Sequence, residues 1–175
     1  LAEHHNSDAI GSSATVVLIG KIAEGTERIR VGSGGIMLPN HSPLIVSEQF
    51  GTLGTLYPNR IDLGLGRAPG TDQVTAHAIR SDFQQGAMSF PNEIEKIQRY
   101  FSTSNSTERV RANVAEGVDV PLYILGSSTD SAHLAAKKGL PYAFASHFST
   151  GQLLPALEIY RDEFQPSNVM DKPYT

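Results

Sequence analysis

The stretch Ile29-Arg30-Val31-Gly32-Ser33-Gly34-Gly35-Ile36-Met37-Leu38 reads as a strand buried on both faces, because its apolar residues do not alternate with polar ones as they would on a half-exposed sheet. Gly32, Gly34 and Gly35 interrupt it, which predicts a bulge or a close backbone approach, with something lying against the strand. Beyond Pro39-Asn40-His41-Ser42, Pro43 suits the first turn of a helix to about Leu56, with Val46, Phe50, Leu53 and Leu56 inward. Tyr57-Pro58-Asn59 stops that helix, and Ile61 to Gly66 is the next strand, running straight into Arg67-Ala68-Pro69-Gly70. Upstream, Ser12 and Ser13 offer capping oxygens to a helix through Glu24 with Ala14, Val17, Leu18 and Ile22 at helical spacing, and Leu1-Ala2-Glu3-His4-His5 resembles a strand end. Downstream come strand Pro121 to Gly126, helix Asp130 to Lys138, strand Pro141 to Ser146 and helix Thr150 to Phe164. Between them, residues 71–117 read as a crossover carrying an inserted excursion of the kind that forms lids, with helical patches at Val74 to Arg80 and Glu93 to Phe101. Strands that alternate with helices, without tight hairpins, predict an α/β fold with a parallel sheet in one domain, 1–175.

Composition narrows the function. The chain has 175 residues and a formal net charge of -4, so it lacks the basic field that nucleic acid or an acidic membrane surface would require. It contains no cysteine, which removes disulfides, thiolate metal sites and cysteine nucleophiles, and makes the cytoplasm the expected location. In a parallel α/β fold, ligands collect where strands end and helices begin. The residues at those junctions are Glu3, His4 and His5; Ser33, Gly34 and Gly35; His41; Arg67; Ser127, Ser128 and Ser131; and His147. Gly126-Ser127-Ser128-Thr129 with Ser131 one turn later could surround an anion such as phosphate, or could simply cap the helix. Arg67 could clamp the same anion or form a surface ion pair. His4 and His5 face opposite ways on an extended segment and do not suit one metal ion; one of them could be a general base or hydrogen-bond donor, or both could pack beneath a loop. Glu3 could fix a neighbouring tautomer or bond to backbone. Gly64-Leu65-Gly66 fits a dinucleotide fingerprint poorly, and no P-loop is present.

Taken in order, Ala2-Glu3-His4-His5-Asn6, Ile29 to Pro39, Arg60 to Ala68, Leu122 to Ser128 and Gly139 to Phe148 resemble the bacterial luciferase-like flavin-dependent monooxygenases, in particular the alkanal monooxygenase-like members. The resemblance implies a (β/α)8 barrel that binds reduced FMN at the C-terminal ends of its strands. By its motifs, Arg67, Ser127, Ser128 and Ser131 would hold the FMN phosphate. Ser33-Gly34-Gly35 would bulge beneath the isoalloxazine ring, in some relatives through a non-proline cis peptide. His4 would be the catalytic base, and His5 and His147 would lie on the substrate side. The activity implied is oxidation of an aldehyde-like or other small organic substrate by O2 and reduced flavin, which a separate NAD(P)H-dependent reductase supplies. The alternatives are an F420-dependent oxidoreductase and a non-catalytic flavin-binding remnant. No metal is implied. A homodimer through the helices near Ser13 to Glu24 and Pro43 to Leu56 is expected. Against the family pattern, the residues account for strands two to six only, so a partial barrel lacking strands one, seven and eight, as in a fragment, is expected.

Overall fold

The computed structural model describes residues Leu1–Thr175. Its elements are α1 (Thr15–Glu24), β1 (Val31–Met37), α2 (Pro43–Leu56), β2 (Ile61–Gly66), α3 (Gln73–Ile79), α4 (Phe83–Met88), α5 (Phe90–Phe101), β3 (Leu122–Gly126), α6 (Thr129–Lys138), β4 (Tyr142–Phe144) and α7 (Leu153–Asp162). The four strands form one parallel sheet in the order β1-β2-β3-β4. Strand order follows chain order without reversal, which is the winding of a β/α barrel rather than of a doubly wound sheet with a switch point. All strand C-termini therefore lie along one edge, and the loops that follow them share that edge.

The core explains why the strands carry so few polar residues. Ile36, Ile61, Leu63, Leu65 and Ile124 are fully buried between the sheet and its helices, joined by Ile19 and Ala23 of α1, Val46 and Phe50 of α2, Ile94 and Ile97 of α5, and Tyr160 of α7. The β1–β2 register shifts between Ser33 and Ile36, and the Gly34–Gly35 peptide is cis, so the bulge expected at the glycines is present.

Several local expectations are corrected. Leu1 to His5 is not a regular strand, yet the Leu1 nitrogen donates to Gly32 O (2.7 Å), Gly34 N to Leu1 O (2.7 Å) and Glu3 N to Gly35 O (3.2 Å). These bonds lay the segment alongside β1 until the bulge breaks the ladder. Ser12 and Ser13 do not cap α1; Ala14 holds that position without a side-chain bond, and the Ser12 hydroxyl donates to Ala2 O instead. The inward face of α1 is Thr15, Ile19 and Ala23, with Val17 and Ile22 turned to solvent. Leu56 is also exposed. Within 71–117, the sequence reading missed α4, and α5 is a core helix through Phe90, Ile94 and Ile97, so the surplus over a plain β–α unit is α3 and α4.

Candidate functional site

A cleft of about 320 Å³ opens at the C-terminal edge of the sheet. One wall is built after β3. Gly126 ends that strand, and a Cβ there would overlap the Ser131 hydroxyl, so glycine is what lets α6 start so close to the strand. Ser127, Ser128, Asp130 and Ser131 line this wall. Ser128 occupies the N-cap of α6 without any side-chain cap bond, which leaves the first-turn amides of a ten-residue helix uncapped beside the cleft. Arg67, just beyond β2, faces the same space, and its one ionic contact is a long 3.6 Å approach to Asp130 between two exposed side chains. Such an exposed pair contributes little to stability, so the guanidinium keeps its donors for another anion.

The floor and opposite wall come from β1 and the N-terminal segment. Gly34 lines the cleft, and a Cβ built on it would meet nothing within 4 Å, so the floor is open where any other residue would protrude. His4 lines the cleft, and its ring has no hydrogen-bond partner of its own, as a proton donor or acceptor for a ligand would require. Met37, Phe90, Leu125, Leu134 and Phe148 give the rest an apolar surface. His147 sits exposed at the mouth, its ring centroid 4.2 Å from that of Phe148.

Of the residues singled out from the sequence, the structure thus gathers His4, Gly34, Arg67, Ser127, Ser128, Ser131 and His147 around one cleft. Glu3, His5, Ser33, Gly35 and His41 do not line it. Alternation along β1 turns Ser33 away from the face that Gly34 presents, and its hydroxyl donates to Gly64 O at 2.8 Å. Gly35 is pressed against Gly64 of β2. His5 turns to Glu3, its Nε2 2.7 Å from Oε1. The Ser131 hydroxyl, although at the wall, already donates to Ser128 O (2.6 Å) and lies 3.0 Å from the Tyr142 hydroxyl, which makes Ser127 and Ser128 the freer oxygens.

The sequence reading underrated Glu3. Its side chain is 1% exposed, and its carboxylate takes bonds from Met37 N (2.9 Å), Asn40 Nδ2 (3.0 Å), His5 Nε2 (2.7 Å) and His41 Nε2 (2.9 Å). Burial alone would raise its pKa; the bonds and charge of His41, with Asn40 and His5, outweigh that and hold it at about 2. Ionised, the carboxylate only accepts, so both imidazoles carry a proton on Nε2. No three acidic, histidine or cysteine side chains are arranged to hold a metal ion, and no helix is long and apolar enough to cross a membrane.

The family model described as luciferase-like monooxygenase matches residues 1–166. The chain is 61% identical over 175 residues to the uncharacterized protein YvbT of Bacillus subtilis, covering 99% of this chain and 52% of that protein. It is 52% identical to a luciferase-like monooxygenase of Escherichia coli K12 (99% and 52% covered) and 37% identical to the N-acetyl-S-alkylcysteine monooxygenase of Bacillus subtilis (87% and 46%). It thus spans about half the length of the curated relatives it matches. Among solved structures, apo-MsnO8 superposes with a TM-score of 0.90 at 37% identity, covering 98% of this chain and 51% of that one. An F420-dependent secondary alcohol dehydrogenase with an F420-acetone adduct (TM-score 0.72, 16% identity, 98% and 57% covered) and the FMN complex of a type II Baeyer-Villiger monooxygenase from Pseudomonas putida (0.68, 15%, 95% and 53%) share the fold. A parallel sheet wound in chain order, with a bulge at Gly34–Gly35 and these matches along nearly its whole length, makes the chain a member of the luciferase-like monooxygenase family.

Proposed function

We propose that the protein is a flavin-dependent monooxygenase that uses reduced FMN and O2 to oxidise an aldehyde-like or other small organic substrate. The observation that carries this reading is the joint presence, on one cleft, of an anion-binding wall and an uncluttered floor: Arg67 with Ser127, Ser128 and the α6 N-terminus on one side, Gly34 beneath. A terminal phosphate suits the first and a flat ring system suits the second, so the residues fit FMN.

When bound and reduced, the flavin supplies the electrons that activate O2, one atom of which enters the substrate while the other leaves as water. The chain's own part is binding, orientation and proton handling. Arg67 offers a fork of donors to two phosphate oxygens, and Ser127, Ser128 and the uncapped α6 amides offer neutral donors to the remainder. Phe90, Leu125, Leu134 and Phe148 keep water from the apolar side of the cleft. His4, free of other partners, takes or returns a proton at its ring nitrogen. His147 and Phe148 at the mouth meet the substrate. A separate NAD(P)H-dependent reductase supplies the reduced flavin, and two copies pair through the outer faces of α1 and α2, where Val17, Ile45 and Leu56 are exposed.

The test is fluorescence titration of FMN and of F420 with the protein. Micromolar quenching of FMN, with O2 uptake that depends on substrate and falls at least tenfold in His4→Ala, is the expected result. Preferential binding of F420 would replace the monooxygenase reading with a deazaflavin-dependent oxidoreductase, and binding with unchanged O2 uptake in His4→Ala would leave a flavin-binding protein without catalysis.

A further inference from the structure

His4 is the one cleft residue proposed for proton handling, yet nothing bonds to its ring. What fixes it lies on either side in the chain. Glu3 N donates to Gly35 O at 3.2 Å, and His5 N donates to Gly70 O at 3.2 Å. The Glu3 carboxylate reaches Met37 N at the end of β1 and the side chains of Asn40 and His41 beyond it, and it holds the His5 ring as well. Asn40 Nδ2 also donates to Pro69 O at 2.9 Å, and Thr71 Oγ1 donates to His5 O at 2.9 Å, which draws in the loop after β2. That loop carries Arg67 and comes close enough that a Cβ on Gly70, whose φ is +67°, would lie 2.6 Å from Glu3 O. One buried carboxylate therefore ties the N-terminal segment to the end of β1, and Asn40, bonded to both Glu3 and Pro69 O, extends that hold to the loop after β2.

We propose that Glu3 is the positioning residue for His4: by gathering Met37, Asn40, His5 and His41 around one carboxylate, it locks residues 1–5 onto the ends of β1 and β2 and so fixes where the unbonded His4 ring faces the cleft. The inference rests on the reading of His4 as a group that acts in the cleft. Its physical basis is the multiplicity of the bonds. Replacing the carboxylate by an amide keeps the shape, but its NH2 then faces Met37 N–H or the Asn40 NH2, two donors that cannot become acceptors, and the imidazole on that side gives up its Nε2 proton or turns away. A displaced residue beside the reacting atoms costs about a hundredfold in rate for a shift on the order of 1 Å.

The experiment compares histidine ring signals in 15N-histidine-labelled protein without flavin, for the unmodified protein and Glu3→Gln, each assigned by single histidine substitutions. The expected result has two parts. At least one of the slowly exchanging Nε2–H signals of His5 and His41 disappears in Glu3→Gln, and the His4 ring signal, which Glu3 does not touch, shifts or splits. FMN affinity stays within about threefold, because the loop that carries Arg67 is held by Asn40 to Pro69 O and by Thr71 to His5 O rather than by the carboxylate itself, while turnover falls about a hundredfold. If Glu3→Gln does not fold, His41→Ala, at a partly exposed site, removes one donor to the carboxylate and is expected to move the His4 signal in the same direction by less. An unmoved His4 signal in either variant overturns the inference, as does a loss of FMN affinity equal to the loss of turnover, which marks a general structural role. Failure of the unmodified protein to bind FMN or F420 would overturn the flavin reading instead, and the ring signals would still decide whether Glu3 positions His4.

Discussion

Lowering the pH should draw on the stability that Glu3 contributes. Its carboxyl titrates at about 2 in the folded protein, against 4.5 for an unperturbed glutamate. A group with a depressed folded pKa stabilises the native state above its unfolded pKa and loses that contribution as pH falls toward the folded value. The difference corresponds to ~3 kcal/mol, present in full above pH ~5 and fading toward pH ~2. At pH ~3 about 2 kcal/mol of it has gone, a substantial part of the marginal stability of a domain this size. The assay is urea unfolding at pH 7, 5, 4 and 3 on the unmodified protein and Glu3→Gln, with slopes checked for a common two-state transition. Glu3→Gln should be the less stable of the two at pH 7, and the gap should close by about 2 kcal/mol on going to pH ~3. Parallel curves across the whole range would refute the reasoning, because they would mean that Glu3 is not held ionised by His41, Asn40 and His5.

Three further expectations follow from other parts of the molecule. Arg67→Ala should weaken FMN binding by about ten- to a hundredfold, the worth of charge-assisted hydrogen bonds, and leave riboflavin binding nearly unchanged; equal losses in the two titrations would place the phosphate elsewhere. Gly34→Ala should leave the thermal midpoint within a few degrees, since its Cβ meets nothing within 4 Å, while lowering flavin affinity by filling the floor of the cleft; unchanged affinity by fluorescence quenching would mean the ring does not lie there. Arg60→Ala should destabilise the fold by about 2 kcal/mol in chemical denaturation without altering flavin affinity, because Arg60 bonds Ala23 O, Thr26 O and Ile29 O around the C-terminal end of α1, far from the cleft.

The architecture was readable because β/α winding leaves strong marks. The unalternated Ile29 to Leu38 could only be a strand covered on both sides, and once strands and helices alternate, every strand C-terminus falls on one edge. That is why His4, Arg67 and Ser127, separated by 60 or so residues each in the chain, could be assigned to a common rim before any coordinates. What escaped was phase and partnership. Helix α1 is apolar on several sides, so its periodicity fits Val17 and Ile22 inward as well as Ile19 and Ala23; only packing against β1 and α2 selects the second. Helix α4 has a glycine, the poorest helix former after proline, at its centre, and its close approach to Pro39 through Gly86 is a tertiary contact that no local pattern announces. Glu3 was seen as a junction residue, but its partners Met37, Asn40 and His41 lie 34 to 38 positions away and no local spacing announces them. The available signal was His41 at the same rim as Glu3, an acid and an imidazole that a parallel sheet brings to the same end. Ser33 and Gly35 flank Gly34 in the motif, but the alternation that turns Gly34 to the cleft turns both its neighbours away.

The proposed function requires a flavin phosphate between Arg67 and the N-terminus of α6, with its ring over Gly34. A crystal structure of the protein grown with FMN tests this most directly. Phosphate density is expected within hydrogen-bond distance of the Arg67 guanidinium, the Ser127 or Ser128 hydroxyl and the first amides of α6, with the isoalloxazine against Gly34 and His4 at its edge. Phosphate density anywhere else on the molecule, with Arg67 still turned to Asp130, would contradict it.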